Sequence, residues 1–172
     1  LCKKLLSHIG VSPARLRLEW IAASEGTRFA EVMSDFARQL RALGPLGQAE
    51  GIEPASLKIR LEAVNRLVPY VKLVEREKLR IPTESEEAYA AFYESEEASR
   101  LFEELIAGQL AVTQILLLLG EGALSTGQIS EKLGLSSSAV AKQMKSASGR
   151  GLVTYDQERG TFDLAKVNHE AR

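Results

Sequence analysis

The sequence predicts an α+β fold, mostly helical and built in three parts, on three observations. Apolar residues recur at helical spacing through most of the chain. Near the start, Arg15-Leu16-Arg17-Leu18-Glu19-Trp20 alternates charged with apolar residues at period two, a strand that then gives way to a helix. From Gly120 onward, short amphipathic runs are separated by glycine turns. They end in two β-rich stretches, Leu152 to Tyr155 and Thr161 to Leu164.

Lys3 to Ile9 reads as a helix that Gly10 stops, and Ser12-Pro13 turns the chain into the strand. Ile21-Ala22-Ala23 then runs into Ser24, placed to cap the next helix, with Glu25 and Gly26 behind it. Over that helix Phe29, Val32, Met33, Phe36, Ala37, Leu40 and Leu43 share one stripe, opposite Arg28, Glu31, Asp35, Arg38 and Arg41. The stripe is expected to be core. Phe29→Asp or Phe36→Asp is therefore expected to unfold this part by burying a charge. A strand–turn–helix unit also leaves backbone N–H groups at a helix N-terminus, where α/β proteins usually place ligands or partners.

Gly44 to Ser56 carries Gly44, Gly47, Gly51, Pro45 and Pro54 and reads as a domain boundary. Helical spacing resumes with Leu57, Ile59, Leu61, Val64, Leu67 and Val68, and Pro69 is expected to kink or break the helix there. A second short helix runs from Tyr70 to Leu79 and stops at Ile81-Pro82. Thr83 or Ser85 caps the next helix, with Glu86 placed for a capping box from Thr83 and with Ala88, Tyr89, Phe92 and Tyr93 on its apolar side. Ser95 to Ala107 is one more helix, with Leu101, Phe102, Leu105 and Ile106 inward. Leu105 to Leu119 is the most apolar run. It is too short for a membrane span of about 20 residues and is interrupted by Gln109, Thr113 and Gln114, so it is expected to be a buried helix.

In the last part, Leu124-Ser125-Thr126 starts a short helix holding Ile129 and Leu133, and Gly134 turns the chain. Ser136 caps a further helix through Ala139, Val140, Met144 and Ala147, which Gly149-Arg150-Gly151 stops. The two β-rich stretches around Asp156 to Gly160 form a hairpin. Three helices, a glycine turn between the second and third, and a hairpin are the plan of a winged helix-turn-helix domain. "LSTGQISEKLGLSSSAV" and the later "GLV" resemble winged-helix repressors of the MarR and ArsR type, over residues 108–166.

Composition narrows the function classes. The chain has 172 residues and a net charge of −1, which gives no global reason to bind nucleic acid. A single cysteine excludes a disulfide framework and paired-cysteine zinc patterns, and fits a reducing, cytoplasmic setting. His8 and His169 are far apart, with no metal-ligand spacing. Glu84, Glu86, Glu87, Glu94, Glu96, Glu97, Glu103 and Glu104 stand against Arg100 alone. That run is either a solvated helix face or an acidic docking face for a basic partner or for residues 57–80. No nucleophile–base pair, phosphate-cradling glycine loop or paired carboxylates occur, so no catalytic residue is assigned.

One resemblance spans residues 1–46. Leu5-Leu6, Ile9-Gly10-Val11, Arg15-Leu16, Glu19-Trp20-Ile21, Ala23-Ser24-Glu25-Gly26, Phe29 and Leu43-Gly44-Pro45 together resemble the delta (iron–sulfur) subunit of methyl-viologen-reducing hydrogenase. The resemblance implies the C-terminal half of a small α/β electron-transfer module with a 2Fe–2S cluster. It implies cluster cysteines upstream of Leu1, and hence a fragment of a longer protein, because Cys2 falls on a helix position and one thiolate cannot supply four ligands. It further implies an oxidoreductase complex of anaerobic metabolism. There, electrons pass from a hydrogenase or formate dehydrogenase to a heterodisulfide-reductase-type flavoprotein, with flavin only in that partner. Trp20, Ser24 and Glu25 become candidates for a turn facing the cluster or partner, although Trp20 reads equally as core and Ser24 as a plain cap.

The expected organisation is thus 1–46, the C-terminal part of an iron–sulfur domain; 47–107, a linker and helical connector; 108–166, a winged helix; and 167–172, a tail. No membrane partner is expected. If the winged helix bound DNA, its exposed face would be Ser137, Ser138, Lys142, Gln143, Lys145 and Ser146, with Arg159 on the wing and Arg150 at the helix end. Gln143 could read an adenine, and Lys142 and Lys145 could meet phosphates. Few phosphate contacts are available, and Arg159 sits among Asp156 and Glu158, so a protein-contact role is expected and a DNA-binding regulator is the alternative.

Overall fold

The computed structural model describes residues 1–80 and 85–165. The elements in chain order are α1 (Cys2–His8), α2 (Gly26–Leu43), α3 (Pro54–Lys78), α4 (Glu86–Glu94), α5 (Glu96–Phe102), α6 (Gly108–Leu119), α7 (Thr126–Leu133), α8 (Ser137–Gly149), β1 (Val153–Asp156) and β2 (Thr161–Leu164). A mostly helical chain with one antiparallel two-stranded sheet agrees with the α+β expectation. Residues 1–57 form one compact unit and the residues from Lys58 onward another. The pairing at Thr83 and the tail from residue 167, His169 included, lie outside the described residues.

In the first unit α1 ends as Gly10 requires, in the left-handed region (φ 79°), with the Val11 amide donating to the Leu6 carbonyl at 2.9 Å. Leu5, Ile9 and Val11 are buried. Pro13–Arg15 is a single 3-10 turn, and residues 16–22 carry no regular secondary structure. The strand expected at Arg15–Trp20 is therefore absent. A strand needs a neighbour to take its backbone groups, and no strand pairs with these residues among the described ones. The helix that follows also differs from expectation. Glu25, not Ser24, is the cap residue of α2, and none of the helix's residues is buried: Phe29 is 56% exposed and Met33 50%. On its apolar stripe Phe29 and Met33 are exposed while Val32, Phe36, Ala37, Leu40 and Leu43 are half-buried, so Phe29→Asp buries no charge in this unit and Phe36→Asp buries one only in part.

In the second unit Ile59 of α3, Ile115, Leu118 and Leu119 of α6, Ile129 and Leu133 of α7, Val140, Met144 and Ala147 of α8, and Val153 of β1 form one core. α7 starts with a capping box between Ser125 and Gln128 and ends at Gly134, whose φ of 66° is left-handed. Arg60 Nη2 donates to the Leu133 carbonyl at 2.9 Å, occupying the last turn of α7. Ser136 caps α8 by accepting from the Ala139 amide. In the hairpin Val153 faces Leu164 and Tyr155 faces Phe162. Leu124 adds a bridge to Phe162, with N···O distances of 3.0 and 2.8 Å.

Two further expectations change. Pro69 does not end its helix: α3 runs unbroken from Pro54 to Lys78. Its flanking Leu67, Val71 and Val74 are all buried while Pro69 itself is exposed, and packing on both sides outweighs the ~3 kcal/mol an internal proline costs. A π turn, Glu103–Ala107, joins α5 to α6, making one helix of 24 residues from Glu96 to Leu119. By length and composition alone this is enough to cross a membrane, which the shorter run Leu105 to Leu119 was not. Half of its apolar stretch is buried inside the protein, with Ile106, Leu110 and Ile115 all at 1% exposure or less. The Leu105 carbonyl inside the π turn accepts from Tyr70 Oη at 2.9 Å, which ties the turn to α3.

Candidate functional site

The most developed polar arrangement in the first unit is centred on Arg15. Its Nε donates to Glu50 Oε1 at 2.6 Å and its Nη2 to Glu50 Oε2 at 3.1 Å, the two-pronged geometry a guanidinium and a carboxylate share. Nη1 donates to the Gly44 carbonyl at 2.8 Å, and Nη2 to the carbonyls of Leu43 and Pro45 at 3.2 and 3.1 Å. The cation thereby covers the carbonyl end of α2, where the helix dipole favours positive charge. Glu50 also accepts from the amides of Ser12 (3.2 Å) and Gly47 (3.0 Å). The two side chains are only 10% and 8% exposed. Arg15 holds the Glu50 carboxyl at a pKa of about 2, with backbone N–H groups of Ser12, Glu50 and Gly47 adding to the effect. Gly47 is required at its position, since its φ is 84° and a Cβ there would stand 2.7 Å from Leu57 Cδ2.

This network was not foreseen. Glu50 lies in the glycine-rich stretch read as a boundary, 35 residues from Arg15, and no local pattern links them. Its consequence is to anchor both ends of the segment 16–25. Arg15 is held at one side, and α2 at the other, where Gln39 Nε2 also donates to the Ala14 carbonyl at 3.0 Å.

The candidate residues Trp20, Ser24 and Glu25 all fall on this anchored segment. Trp20 is 70% exposed, and Ser24 is exposed and caps nothing. The Glu25 carboxylate accepts from the Ala22 amide at 2.7 Å and from Arg28 at 3.3 Å. The Ala22 amide, then Arg28, holds it below the usual carboxylate range. Leu16, Leu18, Phe29 and Met33 add exposed apolar surface in the same unit. The chemistry on offer is apolar contact and backbone hydrogen bonding, without a nucleophile or an acid–base pair. Among the described residues no group of three His, Cys, Asp or Glu is placed to hold a metal ion.

In the second unit Ser137, Ser138, Lys142 and Lys145 are exposed on α8. Gln143 is half-buried, its amide nitrogen 3.6 Å from where a Cβ on Gly108 would stand. Ser137 Oγ lies 3.4 Å from Ser130 Oγ, and Ser138 Oγ 3.1 Å from Ser136 Oγ. Arg159 pairs with Asp156 at 3.8 Å, and Asp156 also accepts from the Glu158 and Arg159 amides to close the hairpin turn.

Residues 1–44 match the family described as methyl-viologen-reducing hydrogenase, delta subunit. Over 45 residues the chain is 56% identical to the iron-sulfur subunit of the F420-non-reducing hydrogenase of Archaeoglobus profundus, covering 26% of this chain and 33% of that protein. Over 45 residues it is also 42% identical to one of the subunits of the ferredoxin:CoB-CoM heterodisulfide reductase of Methanosarcina mazei, covering 26% of this chain and 6% of that one. The chain therefore spans a third of the length of the first relative and a small part of the second. No solved structure matches.

Proposed function

We propose that this chain is part of an electron-transfer subunit of an oxidoreductase complex, and that its first 45 residues belong to an iron–sulfur module. One observation carries the reading: residues 1–44 match the hydrogenase delta subunit. The similarity to iron-sulfur hydrogenase and heterodisulfide reductase components supports the same class. The residues present do not themselves fit a 2Fe–2S cluster. Such a cluster takes four ligands, and Cys2 is the single cysteine. In this reading the ligands come from polypeptide outside this sequence, and the exposed apolar surface around Trp20 and α2 is where the module meets its neighbours. The partners are a hydrogenase or formate dehydrogenase on the donor side and a heterodisulfide-reductase-type flavoprotein, which holds the flavin, on the acceptor side. The setting is cytoplasmic.

We read α6, α7, α8 and the hairpin as a winged helix that makes protein contacts. The Gly134 turn between α7 and α8 and the Leu124–Phe162 bridge beside the hairpin support that plan. A DNA-binding regulator is less well supported, because Gln143 packs against α6 and Arg159 is paired within the turn. The test is anaerobic purification of the protein from its native host with its complex, followed by iron and sulfide analysis and EPR of the reduced state. A 2Fe–2S signal with a co-purifying flavoprotein is expected. No iron, together with salt-dependent DNA binding, overturns the electron-relay reading in favour of the regulator.

A further inference from the structure

In the second unit α4 and α8 present outer faces of opposite charge. On α8, Ser138, Ala141, Lys142, Lys145, Ser148 and Gly149 are exposed and recur at steps of three and four, which puts them on one side of the helix. Val140, Met144 and Ala147 hold the other side in the core. α8 carries no carboxylate, and Arg150, its cap residue, extends the positive face. On α4, Glu87, Ala90, Ala91 and Glu94 are exposed at the same steps, opposite the half-buried Phe92 and Tyr93, and the helix carries no cation. Among the described residues Lys142, Lys145, Arg150, Glu87 and Glu94 form no ion pair. Both helices belong to a unit whose core is closed by its own elements.

The two faces complement each other in spacing as well as in sign. Glu87 and Glu94 stand two helical turns apart, ~10.5 Å, and Lys142 and Arg150 ~12 Å, with Lys145 between them. Antiparallel packing sets Glu94 against Lys142 and Glu87 against Arg150, and it also opposes the two helix dipoles. Ala90 and Ala91 then leave room for the aliphatic stem of Lys145, whose ammonium reaches either carboxylate. The small residues Ala141, Ser148 and Gly149 let the helices come close. Three cations above short side chains, with Gln143 half-buried, suit carboxylates on a helix better than a run of phosphates. We propose that the outer face of α8 docks on the outer face of α4 of a second copy, so that a two-fold pair makes the contact twice. The inference deepens the reading of α8 as a protein-contact helix and rests on that reading.

The test is sedimentation of the 172-residue chain over a dilution series at low salt and at ~0.5 M salt, where exposed charges are screened. A dimer that dissociates on dilution, and at lower dilution in high salt, is expected. Two double variants reverse one face each: Lys142→Glu with Lys145→Glu, and Glu87→Lys with Glu94→Lys. Each alone sets like charges together and should weaken self-association by about tenfold or more. Mixed in equal amounts, the two variants present an acidic α8 to a basic α4 and a basic α8 to an acidic α4, so the mixture should dimerise as the parent does. Misfolding would not be repaired by mixing. A monomer at every concentration overturns the proposal, as does a dimer that the reversals leave intact or a mixture that stays monomeric. Those outcomes leave the protein-contact reading of α8 standing. Duplex DNA retarded by the parent chain and released by Lys142→Glu with Lys145→Glu overturns the proposal and that reading together.

Discussion

Glu50 draws its low pKa from Arg15 and from backbone amides that exist only in the folded first unit. Its folded value of about 2 lies below the ordinary 4.5, so the stability it contributes is fully present above pH 4.5 and is lost as pH falls through about 2. Glu50→Gln should therefore lower the thermal midpoint near neutral pH, with the gap to the parent chain closing between pH 4.5 and 2. Circular dichroism melts across that range check this, and a gap independent of pH would dissociate the carboxylate from the effect. Tyr70 makes a neutral counterpart. Its hydroxyl takes the Leu105 carbonyl in the π turn, and Tyr70→Phe should cost ~1 kcal/mol in denaturant titration.

At the scale of elements, α7 follows the usual relation between amphipathicity and burial and α2 departs from it. Both have a clear apolar stripe, yet α2 buries none of its residues while Ile129 and Leu133 of α7 are 0% and 4% exposed. Phe29→Asp should accordingly leave the melting of this chain within ~0.5 kcal/mol of the parent. Ile129→Asp should unfold the second unit, because it places a charge in a closed core. If the two variants melt alike, the burial described for α2 is wrong. The turn between α7 and α8 is equally specific. A side chain at Gly134 would need the left-handed region, with its Cβ 3.2 Å from Arg60 Nη2, so Gly134→Ala should cost ~1 kcal/mol or more.

For the whole molecule, charge bears on partners. With a net charge of −1 and a pI near 6.2, the chain lacks the positive field that supplies most non-specific DNA affinity. Random duplex DNA should not be retarded by the 172-residue chain at physiological salt, and Lys142→Ala with Lys145→Ala should change nothing. Much of the fold was legible in advance. Helix ends at Gly10 and Gly134, the helix start at Leu124-Ser125-Thr126, the cap at Ser136 and the hairpin around Asp156 depend on residues within about six positions of one another, where local hydrogen bonding and backbone sterics decide. The candidate turn at Trp20, Ser24 and Glu25 was legible as a place but not as a state, because period-two alternation says which residues share a face and not whether anything covers it. What the sequence by itself determined was therefore the stops at Gly10 and Gly134, the start of α7, the cap of α8, the hairpin and the strand-like pattern of residues 16–21. Tertiary structure alone decided the Arg15–Glu50 link across 35 residues, the survival of α3 through Pro69 and the exposure of Phe29 and Met33 on α2. Each of these depends on groups distant in sequence, whose packing or absence outweighs local preference.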